Sequence, residues 1–209
     1  MQTNPEVIGI IIIEDNKFIR SGWEILLESQ PDITLIGSYG SYEDAEKNGK
    51  ICGADLVLMD LQLPGIQGIE GICKIKSSCP EVTIVVCTAY EDNEKIFAAI
   101  SAGALGFIEK KAREEEMLFF LRNAVKGISP MSPNIARKLL SIQKENNRVS
   151  HFLRLNDSGM EQKLLEKIAE GKSYLSAAGE LNINVDLLMK SIGNIYKKFS
   201  AIQNKNLVS

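Results

Sequence analysis

Histidine is nearly missing from this chain: His151 is the only one in 209 residues, and it stands far from all four cysteines. Cys52, Cys73, Cys79 and Cys87 show no C-x-x-C spacing. A zinc site is therefore not expected, and four scattered thiols in a chain large enough to bury a core fit a reducing cytosol. Cys87 lies inside an apolar run and reads as a small core residue. His151 lies in a polar linker and carries no chemical expectation. Long apolar runs are missing too. Val7–Ile13 is too short to cross a bilayer, and Met1–Glu6 holds none of the basic residues of a secretion signal. No membrane association is expected, and the location expected is cytoplasmic.

Charge of one sign is also scarce overall, with a net charge of −3. Its distribution is uneven. Residues 1–129 hold 12 Lys/Arg against 20 Asp/Glu, residues 130–153 hold 4 against 1, and residues 154–209 hold 8 against 6. These blocks carry −8, +3 and +2, which sum to the total. An acidic front and a mildly basic back suggest two domains with different partners. The basic excess is too small to indicate nucleic acid without further support.

Five short apolar runs occupy the front: Val7–Ile13, Ile33–Ser38, Leu56–Met59, Val82–Cys87 and Gly106–Ile108. They are rich in β-branched residues and nearly continuous rather than alternating, as strands of a parallel sheet covered on both faces must be. Helical patterns separate them. Asn16–Gln30, Asn93–Ala102 and Glu114–Lys126 carry clear apolar stripes, with fainter ones at 43–52 and 66–77. Alternation of strand and helix predicts a doubly wound α/β fold, a five-stranded parallel sheet with right-handed crossovers. After Gly127 the strands stop. Ser132 is placed to cap a helix that begins with Pro133 and runs to about Lys144. The polar stretch Glu145–Ser150 reads as linker, and short helices follow at 160–170, 173–181 and 184–199. The expected division is 1–128, a connecting segment 129–154, and a small all-α unit 155–209.

Polar residues gather just past the carboxyl ends of the predicted strands: Glu14 and Asp15, Asp60, Thr88 and Lys110. That edge of an open α/β sheet is where ligands bind. Three carboxylates there repel one another unless a cation joins them, and hard oxygen ligands with room for water and phosphate suit Mg²⁺. Lys110 and the Thr88 hydroxyl then supply a charge and a donor to phosphoryl oxygens, which is the positioning chemistry that phosphoryl transfer needs.

With Asp60 in MDLQLPGIQG, Thr88 in CTAY and Lys110 closing AGALGFIEK, residues 7–127 resemble the receiver domain of two-component response regulators, which has the flavodoxin-like fold. The resemblance implies that Asp60 accepts phosphate from a histidine kinase and that Glu14, Asp15, Asp60 and the Gln62 backbone carbonyl hold Mg²⁺. It implies that Lys110 pairs with the phosphoryl group and that Thr88 and Phe107 form a switch pair. Tyr is frequent in that family where Phe107 stands; a phenyl ring packs inward equally but cannot hydrogen-bond. An aspartyl phosphatase resembling the haloacid dehalogenases is the enzymatic alternative. Such enzymes place an acid/base Asp two residues past the nucleophile, where this chain has Gln62, so no enzyme is expected.

Helices 173–181 and 184–199, joined through Asn182 and Ile183, fit a helix-turn-helix, whose second helix enters the major groove. Asn184 is a good N-cap, and Val185, Leu188, Ile192, Ile195 and Phe199 form the core stripe. Residues 129–201 resemble the LuxR-type output domain of the NarL/FixJ regulators. The resemblance implies a DNA-binding transcriptional regulator that dimerises on phosphorylation. The match is uneven: Leu187, Met189 and Ser191 stand where that family carries Thr, a basic residue and often His. The candidate DNA contacts are Lys190, Ser191, Asn194, Lys197 and Lys198, through phosphates and base edges. Leu187 and Met189 are expected on or beside the same outward face, able to touch a thymine methyl. Exposed Leu and Met also mark protein contacts, so an output that binds a protein partner or drives dimerisation instead of DNA stays open.

Overall fold

The computed structural model describes residues 7–89, 93–128, 131–145 and 159–206. Its front half is a parallel sheet of five strands: β1 Ile8–Ile13, β2 Ile33–Tyr39, β3 Leu56–Met59, β4 Thr83–Thr88 and β5 Gly106–Glu109. They lie in the order β2-β1-β3-β4-β5. Every neighbouring pair is parallel, with Ile13 level with Met59 and Val86 level with Phe107. The doubly wound α/β fold expected from the sequence is the fold observed. Ile10–Ile13 and Leu56–Met59 are wholly buried because helices cover both faces of these strands.

The covering helices are α1 Lys17–Glu28, α2 Tyr42–Asn48, α3 Gly68–Ser78, α4 Asn93–Ala102 and α5 Glu114–Ala124. Asn16 starts α1 by accepting from the Phe18 and Ile19 amides. The helical pattern over 43–52 is not one helix. α2 stops at Gly49, whose φ of 70° is left-handed, and a separate 3-10 turn spans Ile51–Gly53. A left-handed glycine ends a helix without the Cβ clash other residues suffer.

The cysteine reading needs correcting. Cys52 and Cys79 are joined as a disulfide that ties the 3-10 turn to the end of α3, while Cys73 is an exposed thiol and Cys87 a buried one. A separation of 27 residues carries no sequence signature of pairing; only the crossover of β3 and α3 brings the two together.

Among the described residues, four helices follow: α6 Pro133–Glu145, α7 Met160–Ala169, α8 Tyr174–Leu181 and α9 Val185–Asn206. Ser132 caps α6 through the Ile135 amide, and Asn184 caps α9 through the Leu187 amide at 2.7 Å, both as expected. The linker after Glu145, with His151, and the Phe199 side chain lie outside the described residues. α6 packs on α7, and Ile135, Ala136, Leu139, Leu164, Leu165 and Ile168 share one apolar cluster. That apolar cluster is continuous with one face of the sheet, reaching Ile96, Ile100 and Phe107. Among the described residues, no helix is long and apolar enough to cross a membrane.

Candidate functional site

Three strand ends bring the carboxylate cluster together. Glu14 leaves β1 and is held by its own amide, which donates to Tyr39 O at 3.0 Å. Asp60 leaves β3, its amide donating to Ile13 O at 2.9 Å. These backbone bonds continue the sheet past the formal strand ends and fix both side chains. Glu14 is wholly buried, Asp60 is 3% exposed, and Asp15 faces solvent. One oxygen from each of the three lies within 4.8 Å of the others.

Lys110, just past β5, reaches into this cluster. Its Nζ donates to Glu14 Oε1 and to Asp60 Oδ2, each at 2.8 Å. Glu14 Oε2 lies 2.6 Å from the same ammonium, so both oxygens of this carboxylate are paired with Lys110. Burial pushes the Glu14 carboxyl above its ordinary pKa. The Asp60 charge adds to this, and the bond from Lys110 opposes it. Burial works against the charge on Lys110 as well, yet its bonds to Asp60 and Glu14 prevail and raise its pKa.

The residues fit a hard divalent cation. Opposite ligands of an octahedral Mg²⁺ lie about 4.2 Å apart, inside the 4.8 Å span of the cluster. Three carboxylates gathered at adjoining strand ends are the hard oxygen donors that such a cation takes. Gln62 lies two residues beyond Asp60 in an exposed turn. Thr88 closes β4, level with Glu109; its side chain lies outside the described residues.

Phe107 is buried, and part of its cover comes from the far end of the chain. Its ring lies stacked 6.4 Å from that of Tyr196 on α9. α9 runs against α4, and a Cβ at Gly193 would stand 3.4 Å from Gly127 O. The Tyr174 hydroxyl donates to Met131 O at 2.8 Å and accepts from Met131 N at 2.7 Å. The Asn134 amide donates to the Glu109 carboxylate across the same junction.

This packing corrects the expectation for Met189. It is 3% exposed, and with Gly193 and Tyr196 it forms a second buried edge beside Leu188, Ile192 and Ile195. A helix packed on two sides buries more than one stripe, and a one-stripe reading of periodicity misses the second. Tyr196 is on this edge too, and its place seven residues after Met189 is the signal the sequence carries for it. Leu187 is exposed at 49%, as expected. Lys190, Asn194 and Lys197 face solvent. Ser191 is half-buried and donates to Leu187 O at 2.9 Å. Lys198 is engaged within the domain, donating to Glu161 at 2.6 Å.

A five-stranded parallel sheet with two buried carboxylates and a lysine at its carboxyl edge, followed by a helical output unit, defines a class: receivers that govern an attached domain. Residues 10–122 match the response regulator receiver domain. Transcriptional regulatory protein LiaR of Bacillus subtilis (strain 168) is 30% identical over 194 residues, covering 92% of this chain and 90% of that protein. Response regulator UvrY of Escherichia coli (strain K12) is 28% identical over 179 residues, covering 85% and 81%. Among solved structures, the Salmonella typhimurium RcsB response regulator covers 98% of this chain and 100% of its own. It superposes with a TM-score of 0.61 at 20% identity. A structure of an RcsB–DNA complex gives 0.60 at 20% identity over 93% and 92%. The chain belongs to the response regulators of two-component systems.

Proposed function

We propose that Asp60 is the phosphoacceptor and that the phosphorylated protein acts as a cytoplasmic, DNA-binding transcriptional regulator. The observation that carries this is Lys110 bridging buried Glu14 and Asp60 at the carboxyl edge of the sheet. In the reaction an Asp60 oxygen attacks phosphorus, the P–N bond to a kinase imidazole breaks, and the imidazole leaves with the electron pair. Lys110 turns from the Asp60 carboxylate to the new phosphoryl oxygens. Glu14, Asp15, Asp60 and the Gln62 carbonyl would hold Mg²⁺, which supplies charge neutralisation to the transferring group. Phe18, three residues past Asp15, and Ile25 stand exposed on one face of α1 and offer a histidine kinase an apolar surface beside the acceptor.

The output reading divides the chain into a receiver at 1–128, a connecting segment at 129–154 and a helix-turn-helix domain at 155–209. Lys190, Asn194 and Lys197 are the leading DNA contacts, with Ser191 and Lys198 behind them because both are bonded within the domain. Phosphorylation, acting through Thr88 and Phe107, shifts the packing of Phe107 on Tyr196, parts α9 from α4 and frees the output domain to dimerise on DNA. An output that binds protein instead of DNA is favoured by one observation: the exposed Leu175 and Leu187 lie on the two helices of the motif.

Acetyl phosphate with Mg²⁺ should yield a stable phosphoprotein that Asp60→Asn abolishes; turnover of many phosphate esters would overturn the reading. Genome-wide DNA capture should enrich discrete sites that Lys190→Ala/Lys197→Ala loses. Enrichment unchanged in that variant would remove α9 as the reader.

A further inference from the structure

The loop over residues 60–67 joins Asp60 to α3 and carries the Gln62 carbonyl, yet no strand pairing holds it. Its ends are pinned from within. The Gly68 amide donates to Leu61 O at 3.0 Å, and the Gln67 side chain donates to Leu63 O at 2.7 Å. A Cβ at Gly68 would overlap Asp60 O, so α3 starts directly against the Asp60 backbone. The tip of the loop is pinned from outside. The Ile66 amide donates at 2.9 Å to Glu43 Oε1, on α2 and 23 residues away in the chain. Gly65 takes a left-handed φ of 68°, and a Cβ there would overlap the same carboxylate oxygen. Glycine is the residue that lets backbone and carboxylate meet this closely.

Glu43 is itself firmly set. Ser41 caps α2 by accepting from the Asp44 amide at 3.2 Å. Tyr42 is buried against α3, where a Cβ at Gly71 would stand 3.1 Å from its ring. Glu43 is half-buried, so water competes less for its bond to the Ile66 amide. A hydrogen bond to a carboxylate is also stronger than one between neutral groups. Four residues earlier, Tyr39 O accepts from the Glu14 amide at 3.0 Å. One short stretch, 39–43, therefore grips the backbone on both sides of the carboxylate cluster: Glu14 through Tyr39, and the Asp60 loop through Glu43.

We propose that Glu43 is a positioning residue for the phosphorylation site. It keeps the Asp60 loop in place against Glu14, so that the carboxylates and the Gln62 carbonyl present one set of oxygens to Mg²⁺. The proposal deepens the reading of Asp60 as phosphoacceptor and rests on it. Glu43 touches neither the metal nor the phosphoryl group; it acts through the Ile66 amide.

The test combines Mg²⁺ titration by calorimetry, acetyl phosphate labelling over the same Mg²⁺ range, and deuterium exchange at the Ile66 amide, all on the full chain. Groups that orient metal ligands typically change affinity about 10- to 100-fold when removed. Glu43 stands one bond further out, and Glu43→Ala should raise the Mg²⁺ midpoint by roughly fivefold or more. It should also speed exchange at Ile66, and excess Mg²⁺ should restore the labelled fraction. Glu43→Gln keeps an oxygen acceptor and should recover most of the affinity. Gly65→Ala should weaken binding in the same direction. The double variant Glu43→Ala/Gly65→Ala should lose less than the product of the two single losses, because both break one contact. An unshifted midpoint in Glu43→Ala, a Glu43→Gln protein as weak as Glu43→Ala, or labelling lost without a shifted midpoint would overturn the role. The same measurements separate it from the phosphoacceptor reading. A midpoint shifted as expected with no label on Asp60 in any sample would sink that reading alone, and normal labelling with an unshifted midpoint would sink the role of Glu43 alone.

Discussion

Burial takes Glu14 out of water while Asp60 and Lys110 pull on its proton in opposite directions. Its raised pKa means that the fold favours the protonated acid. Its contribution to stability is therefore greatest below the ordinary value of 4.5 and is lost as pH rises through the folded value. A cation has the opposite preference, because only the carboxylate can hold it. Calorimetric titration of Mg²⁺ should show affinity lost as pH is lowered, with an onset above 4.5, and Glu14→Gln should both weaken binding and move that onset to lower pH. An onset below 4.5 in the native protein would contradict the assignment. The residue types and their order at the strand ends were legible in the sequence, since a carboxylate after an apolar run is a local feature. The Lys110 ammonium lying between Glu14 and Asp60 was not, because that contact spans 96 and 50 residues of chain.

Helices and turns were legible where one face of an element is buried and a cap marks its start. α1, α6 and α9 begin at Asn16, Ser132 and Asn184, whose side chains accept from the first-turn amides. Two elements escaped that logic. The apolar stripe of α9 is one of two, because Met189, Gly193 and Tyr196 add a second buried edge that depends on which helix lies beside it. The other is the strap between Cys52 and Cys79. Closing a loop of 27 residues lowers the entropy of the unfolded chain by an amount worth about 3.5 kcal/mol at 25 °C. Denaturant unfolding of the oxidised protein should therefore exceed that of Cys52→Ser by up to about 3.5 kcal/mol, with Cys73→Ser unchanged. Equal stability of all three would show that the thiols do not pair in solution.

At the scale of the whole molecule, the output helix closes over the receiver through Tyr196 on Phe107 and Gly193 near Gly127. Gly193→Leu places a branched side chain where even a Cβ stands 3.4 Å from a carbonyl oxygen. Overpacking of this kind costs about 1–3 kcal/mol, enough to shift a closed–open equilibrium roughly 5- to 150-fold. Small-angle scattering should show the Gly193→Leu protein expanded without phosphorylation, and acetyl phosphate labelling of Asp60 should persist. A radius identical to the native one would mean that this seam does not hold the molecule shut.

The sequence by itself determined the parallel α/β receiver, the helical carboxyl-terminal region and the roster of carboxylates and lysine. Apolar runs, caps and strand-end residues are local properties of the chain, and each is written within a few positions. Only the tertiary structure decided that Lys110 bridges Glu14 and Asp60, that Cys52 meets Cys79, that Met189 is buried and that Tyr196 stacks on Phe107. Those contacts join segments far apart in the chain, and their partners are chosen by how packed elements cross, which periodicity within one element does not encode.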